Sequence, residues 1–227
     1  EYRGMTWTIV DSFSEGKYGD PARCEDVIVT GPLYAVIDGA TDHSGVRFEL
    51  DGVDVTGGRF VAHTVARALG RVNPALDHRS MADEVTRVVS NAVRAQHPAL
   101  PLHHRPSASV VVFNPTRSEI WWAGDCRFAV RFPNVIAEPA TGKAIDELNT
   151  SMRAALHDAF DAAGMGWIPE PGVTDPARAA IDPLLIVQGA LANTTGRYGY
   201  GVVNGDAIPE PHLRRYGATG ALEIVLA

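Results

Sequence analysis

Val36-Ile37-Asp38-Gly39 carries an acidic side chain to the end of an apolar run and follows it with a residue that has no side chain. A strand from Leu33 to Asp38 would present the Asp38 carboxylate at its tip. Gly39 would let the backbone turn there, so that its carbonyl could approach the same ion. Carboxylate and carbonyl oxygens are hard donors of the kind Mg²⁺ and Mn²⁺ prefer. Asp-Gly also ends many strands as an ordinary turn, so two further acids bear on the reading. Glu25-Asp26 heads the preceding apolar run, and Asp125 sits in Gly124-Asp125-Cys126 after another one. Three carboxylates at neighbouring strand tips would repel, raising at least one pKa, unless cations stood between them.

The elements needed to position these acids are legible in the periodicity. Asp26 to Val29 and Leu33 to Asp38 are short apolar runs separated by Thr30-Gly31-Pro32, the signal for a hairpin. An antiparallel pair would set the start of the first strand beside the end of the second, and so Asp26 beside Asp38. Thr56 introduces a helix whose face carries Phe60, Val61, Thr64, Val65, Ala68 and Leu69, with Gly70 as its stop. A second helix is predicted from Ser80, as N-cap of a capping box with Asp83, to about Gln96. Residues 97–106 read as a loop. Three strands follow, at 109–113, 119–123 and 127–132, on connections too short for a parallel crossover, which predicts an antiparallel meander. A third helix is predicted over 142–163. Residues 164–183 are punctuated by Pro and Gly, 184–191 form a short apolar stretch, and a last strand runs over 222–226. Met5 to Val10 alternates loosely, as an edge strand would. Strands in groups with helices between the groups indicate an α+β fold.

The 227 residues suit one domain with a core large enough to need no disulfide staples. Net charge is −7 and the pI about 5.6, which speaks against a nucleic-acid surface. No apolar run reaches the ~18 residues of a membrane span. The two cysteines, Cys24 and Cys126, suit buried thiols in a reducing, cytoplasmic setting, although a disulfide between them is open to the sequence. Asp206 reads as a structural loop residue. Trp121-Trp122, on opposite faces of one strand, read as core. Thr56-Gly57-Gly58-Arg59 could hold an anion at a helix start, and His97 with His103-His104 could hold a metal, but an ordinary helix start and a solvated loop account for both.

The string CEDVIVTGPLYAVIDGATD resembles the opening of the type 2C, metal-dependent protein serine/threonine phosphatases, and PSASVVVFNPTRSEIWWAGDCRFAVR resembles their middle segment. GYGVVNGDAIPEPHLRRY followed by LEIVLA resembles their approach to a last ligand-bearing strand. The likeness runs through the chain in order and is that of a divergent, bacterial-like member. It implies two antiparallel β-sheets sandwiched between layers of α-helices, in a single domain over residues 1–227. It also implies hydrolysis of phosphoserine and phosphothreonine esters in proteins by a water between two Mn²⁺ or Mg²⁺ ions. Asp38 would bridge both ions, the Gly39 carbonyl would bind one, Asp26 would support the site, and Asp125 would match a ligand of a third, weaker ion. The expected partner is a phosphoprotein substrate, with no nucleic acid and no membrane, and the expected state is a monomer.

The sequence also departs from the family pattern. Ala40 stands where a histidine general acid is usual, with His43 nearby. Pro21 stands where the phosphate-binding arginine is usual, leaving Arg23 as the nearest substitute. The chain ends at Leu226-Ala227, before the strands expected to carry the remaining metal ligands. These departures admit an alternative, a catalytically impaired domain that binds a protein or phosphopeptide in a regulatory role. A haloacid-dehalogenase-type reading of VIDGATD fails, because that motif needs a carboxylate where Val36 sits.

Overall fold

Two strands buried along their whole length form the middle of the molecule. In the computed structural model, which describes residues 7–15, 24–40, 45–168 and 173–227, every residue of β5 (Ala108–Asn114) and β6 (Glu119–Ala123) is buried. Their valines, isoleucine and tryptophans serve both faces at once, as an apolar run without alternation requires. β1 (Asp26–Val29) and β2 (Tyr34–Gly39) extend this sheet on one side and β9 (Arg214–Gly217) on the other, in the antiparallel order β1-β2-β5-β6-β9. A second sheet holds β7 (Phe128–Arg131) between β10 (Glu223–Leu226) and β8 (Ile136–Ala137).

One face of the large sheet is covered by α1 (Gly57–Leu69) and α2 (His78–Gln96), which pack Phe60, Val61, Val65, Met81, Val85 and Val89 onto Ile37, Val110, Val112 and Trp121. The other face packs Val111, Phe113, Ile120 and Trp122 against Phe128 and Val130 of the second sheet. Trp121 and Trp122 therefore enter two different cores, as the two-residue period of a strand requires. The fold is α+β with antiparallel sheets, as expected.

Several boundaries and pairings differ from the sequence reading. The expected meander breaks after β6: β7 pairs with β10 and β8 instead. Gly124, at φ 99°, turns the chain out of the first sheet at that point, so a connection too short for a parallel crossover is long enough to change sheets. α2 starts at His78, capped by the Asp77 carboxylate, which accepts from the Ser80 N–H at 2.8 Å. Ser80 is thus inside the helix. The hairpin of β3 (Arg47–Leu50) and β4 (Val53–Thr56) was missed, although Asp51-Gly52 between apolar runs is a strong hairpin signal. Also missed was α4 (Pro176–Val187), which begins with a capping Asp175 and a proline in its first turn. Residues 7–10 form no strand, and residues 5 and 6 lie outside the described part. α3 (Ala144–Ala162) forms as predicted, but of its apolar face only Ile145 is buried; it packs chiefly on α4.

Candidate functional site

Register decides which acids meet. β1 and β2 pair so that Asp26 stands directly opposite Asp38, and β2 and β5 pair so that Asp38 stands opposite Ser109. Directly opposed residues project from the same face. Here it is the face that carries Val36, Val111 and Phe113 toward the second sheet. Asp26, Asp38 and Ser109 thus form a row at the rim of the gap between the sheets. Asp125 joins them from the corner after β6, where its Oδ1 accepts from Ser109 Oγ at 2.5 Å. A Cβ on Gly124 would stand 2.6 Å from the Ser109 Cβ, so the bare residue at 124 is what lets serine and aspartate meet.

The charges in this row are only partly balanced. Lys143 Nζ lies 2.9 Å from Asp125 Oδ1, and together with Ser109 it holds the Asp125 carboxyl below the usual carboxylate range against the effect of burial. Lys143 is the N-cap residue of α3, the end of a helix that disfavours a cation; the bond to Asp125 explains its place there. Among the described residues Asp38 makes no ion pair, and the charge of Lys143 offsets its surroundings only in part. Protein packed around its carboxylate, then the charges of Asp26 and Asp125, push its pKa from 3.8 up to about 6. Once protonated, Asp38 can donate to Asp26, which favours the neutral form; both residues are exposed at the rim.

Close backbone packing beneath the row fixes Gly39. Its N–H donates to the Glu25 carbonyl at 3.2 Å, and the Ala40 N–H donates to the Ser107 carbonyl at 2.9 Å. A Cβ on Gly39 would stand 2.5 Å from the Gly58 carbonyl oxygen and 2.7 Å from that of Glu25, and a Cβ on Gly58 would run into the Ala40 carbonyl. The glycines at the start of α1 therefore serve helix-to-sheet contact. Glu25, the other member of the acidic pair, is buried and accepts from the Thr56 hydroxyl at 2.5 Å. It ties β1 to the cap of α1.

The structure brings Asp26, Asp38, Gly39 and Asp125 together. Arg23 and His43 lie outside the described residues. The sequence reading did not single out Lys143 or Asp146 for the site. Burial, followed by the charge of Asp125, raises the Asp146 pKa. No motif marks either residue, and only the packing of α3 shows them. Cys24 and Cys126 are free thiols, and Cys126 is pushed up to about 12 by burial and then by Asp38 and Asp125, which makes it inert. His97 lies 2.9 Å from the Arg47 carbonyl and edge-on to Phe48, while His103 and His104 pair with each other. Asp206 pairs with Arg105, a structural role as expected.

The donor set suits a hard divalent cation. Asp26 and Asp38 are two apposed carboxylates whose repulsion is only partly offset among the described residues, and they face the gap between the sheets. Among the described residues, no three His, Cys, Asp or Glu side chains close into one metal shell. Magnesium-like ions, which keep several waters, need only one or two protein carboxylates.

The Asp38 pKa gives a directional test. In the unfolded chain this carboxyl titrates near 3.8 and in the folded chain near 6, so between those values the folded state binds the extra proton. The group's contribution is most favourable below 3.8 and is lost as pH rises toward 6. Asp146 acts with the same sign, whereas Asp125, shifted downward, changes only below its ordinary value. Thermal unfolding of the metal-free protein should therefore show a component of falling melting temperature between about pH 4 and pH 6. Saturating manganese should cancel it by neutralising the ionised pair.

No protein-family model matches the chain, and no curated protein matches it. Among solved structures it is similar to the catalytic domain of the serine threonine protein phosphatase PstP in complex with two manganese ions, at 14% identity and a TM-score of 0.48. That match covers 90% of this chain and 70% of the other. It is also similar to the serine/threonine phosphatase Stp1 from Staphylococcus aureus, at 15% identity and a TM-score of 0.47, over 94% of this chain and 72% of that one. A bacterial serine phosphatase matches at 13% identity and a TM-score of 0.46, over 89% and 69% of the two chains. No helix among the described residues is long and apolar enough to cross a membrane.

Proposed function

We propose that this chain hydrolyses phosphoserine and phosphothreonine esters of proteins, using Mn²⁺ or Mg²⁺ held by Asp26, Asp38 and the Gly39 carbonyl. The observation that carries this reading is the opposition of Asp26 and Asp38 across one antiparallel register, within strings that resemble type 2C phosphatases. Ions bound there would supply Lewis acidity, which lowers the pKa of water and offsets charge on phosphoryl oxygens. Asp38 stands between Asp26 and Ser109 in the row, and that central position supports the reading that it would contact more than one ion. Asp26 adds a second carboxylate from the neighbouring strand. The packing of Gly58 against Gly39 and Ala40 holds the backbone of the turn still. Asp125 is occupied on one oxygen by Lys143 and Ser109, so its second oxygen is the one left for a third, weaker ion.

The engagement of Asp125 also favours a second reading, a phosphopeptide-binding domain without hydrolysis. The two separate cleanly. Manganese should support steady phosphate release from p-nitrophenyl phosphate and from a phosphothreonine peptide, and a chelator should stop it reversibly. Failure of every divalent cation to support turnover, with phosphopeptide binding retained, would establish the binder instead.

A further inference from the structure

A cleft of about 340 Å³ opens directly beside the acidic row, between the turn after β2, α3 and α4, and the mechanism above makes no use of it. Ala40, two residues past Asp38, lines it, as does Asp146, three residues past Lys143. The rest of its lining is neutral, with Ile181, Leu185 and Ile186 among it, apart from three arginines, Arg105, Arg153 and Arg178. Arg105 is paired with Asp206, and Arg153 donates to Asp175 at 2.6 Å. The Arg178 guanidinium, exposed in the first turn of α4, makes no ion pair among the described residues.

Two buried polar atoms in this wall are unsatisfied. Asn149 is only 8% exposed; its amide donates to Gln188 at 2.9 Å, yet its Oδ1 is buried without a partner. Arg153 Nε, one helical turn along on the same face of α3, is also buried without a partner. An orphaned buried donor or acceptor costs roughly as much as a lost hydrogen bond. Two atoms without partners among the described residues, four residues apart on one cleft wall, with the Arg178 cation at its edge, point to a polar ligand.

We infer that the cleft is a subsite for an oxyanion borne by the substrate peptide, the carboxylate or second phosphate of a residue flanking the phosphorylated one. Arg178 donates to the oxyanion, and side-chain shifts bring Arg153 Nε onto it and Asn149 Oδ1 onto a peptide N–H, since both atoms are closed off from the cleft in the present arrangement. The inference rests on the proposed phosphatase reading and extends it to substrate class: phosphopeptides with an acidic flank, set against an otherwise acidic protein.

The test uses the full chain loaded with manganese and a phosphothreonine peptide in which glutamate, glutamine or phosphoserine is placed at each flanking position in turn. At one or two positions glutamate should improve KM over glutamine by roughly tenfold, the size of one charge-assisted hydrogen bond. Phosphoserine there, compared with glutamate, identifies which oxyanion is preferred. Arg178→Ala should erase the difference by raising KM while leaving kcat and p-nitrophenyl phosphate turnover unchanged, since that ester has no flank. Asn149→Ala should weaken all the peptides alike. Calorimetric affinities for the same peptides judge the subsite even if nothing is hydrolysed, whereas p-nitrophenyl phosphate turnover judges the phosphatase reading. Equal affinity for the glutamate and glutamine peptides at every position, or an Arg178→Ala protein that still distinguishes them, would overturn the inference.

Discussion

Asp38→Asn is expected to lower manganese-dependent kcat/KM by roughly a thousandfold or more, about 4 kcal/mol of transition-state stabilisation. The reason is its central position. Asp38 pairs in register with Asp26 on one side and Ser109 on the other, so under the proposed function its oxygens would be the ones shared. Asparagine keeps the shape and one carbonyl oxygen but removes the negative charge that a hard cation needs. The same substitution at Asp26 should cost less, because a supporting ligand can be replaced by water.

Loss of activity alone would not separate a lost ligand from a damaged fold, but stability should move in the opposite direction. In the metal-free protein Asp38 sits in a place that burial and two neighbouring carboxylates make unfavourable for its charge. Removing that charge relieves the repulsion, so the metal-free Asp38→Asn protein should melt higher than the parent at neutral pH. It should also lose the decline in melting temperature between about pH 4 and pH 6. Manganese, which should raise the melting temperature of the parent by binding only the folded state, should raise that of the variant much less. An Asp38→Asn protein that keeps near-parental turnover, or melts lower without metal, would show that position 38 does not hold the ions.

The strands that carry Asp26 and Asp38 were legible because two short apolar runs around Thr30-Gly31-Pro32 allow few alternatives, and antiparallel pairing then fixes which ends meet. The two tryptophans could be assigned to opposite faces by the same period-two rule. What failed was information held by distant contacts. No local signal distinguishes a turn that returns β7 to the first sheet from one that sends it to a second; the difference lies in β10, nearly a hundred residues later. Lys143 reads as one more charge in the first turn of a helix, and only the folded chain sets it on Asp125. Glu25 and Asp26 look equivalent in sequence, yet neighbouring strand residues point to opposite faces, so one is buried under α1 while the other faces the gap. The Asp51-Gly52 hairpin and the Asp175-Pro176 helix start differ from these. Both carried recognisable local signals that the pattern reading passed over.

Trp121→Ala is expected to be the most destabilising single truncation, costing about 3–5 kcal/mol. Trp121 heads the fully buried side chains by size, at 0% exposure, and it lies in the core between the large sheet and α1 and α2. With typical domain stabilities of about 5–15 kcal/mol, that loss is a large share of the whole. For a chain of this length it corresponds to a fall in melting temperature of roughly 10 °C. Trp121→Phe makes the argument specific. The indole Nε1 is buried without a hydrogen-bond partner among the described residues, so phenylalanine gives up volume but no bond there and should cost well under half as much. Trp122→Ala probes the other face of the same strand, where the ring meets Phe128 edge-on at 4.9 Å in the core between the sheets. Because β6 leads straight into Gly124-Asp125, loosening that second core should also blunt the stabilisation by manganese. Trp121→Phe, which leaves the inter-sheet face intact, should keep it. Equal costs for Trp121→Ala and Trp121→Phe would show that the loss does not scale with the volume removed.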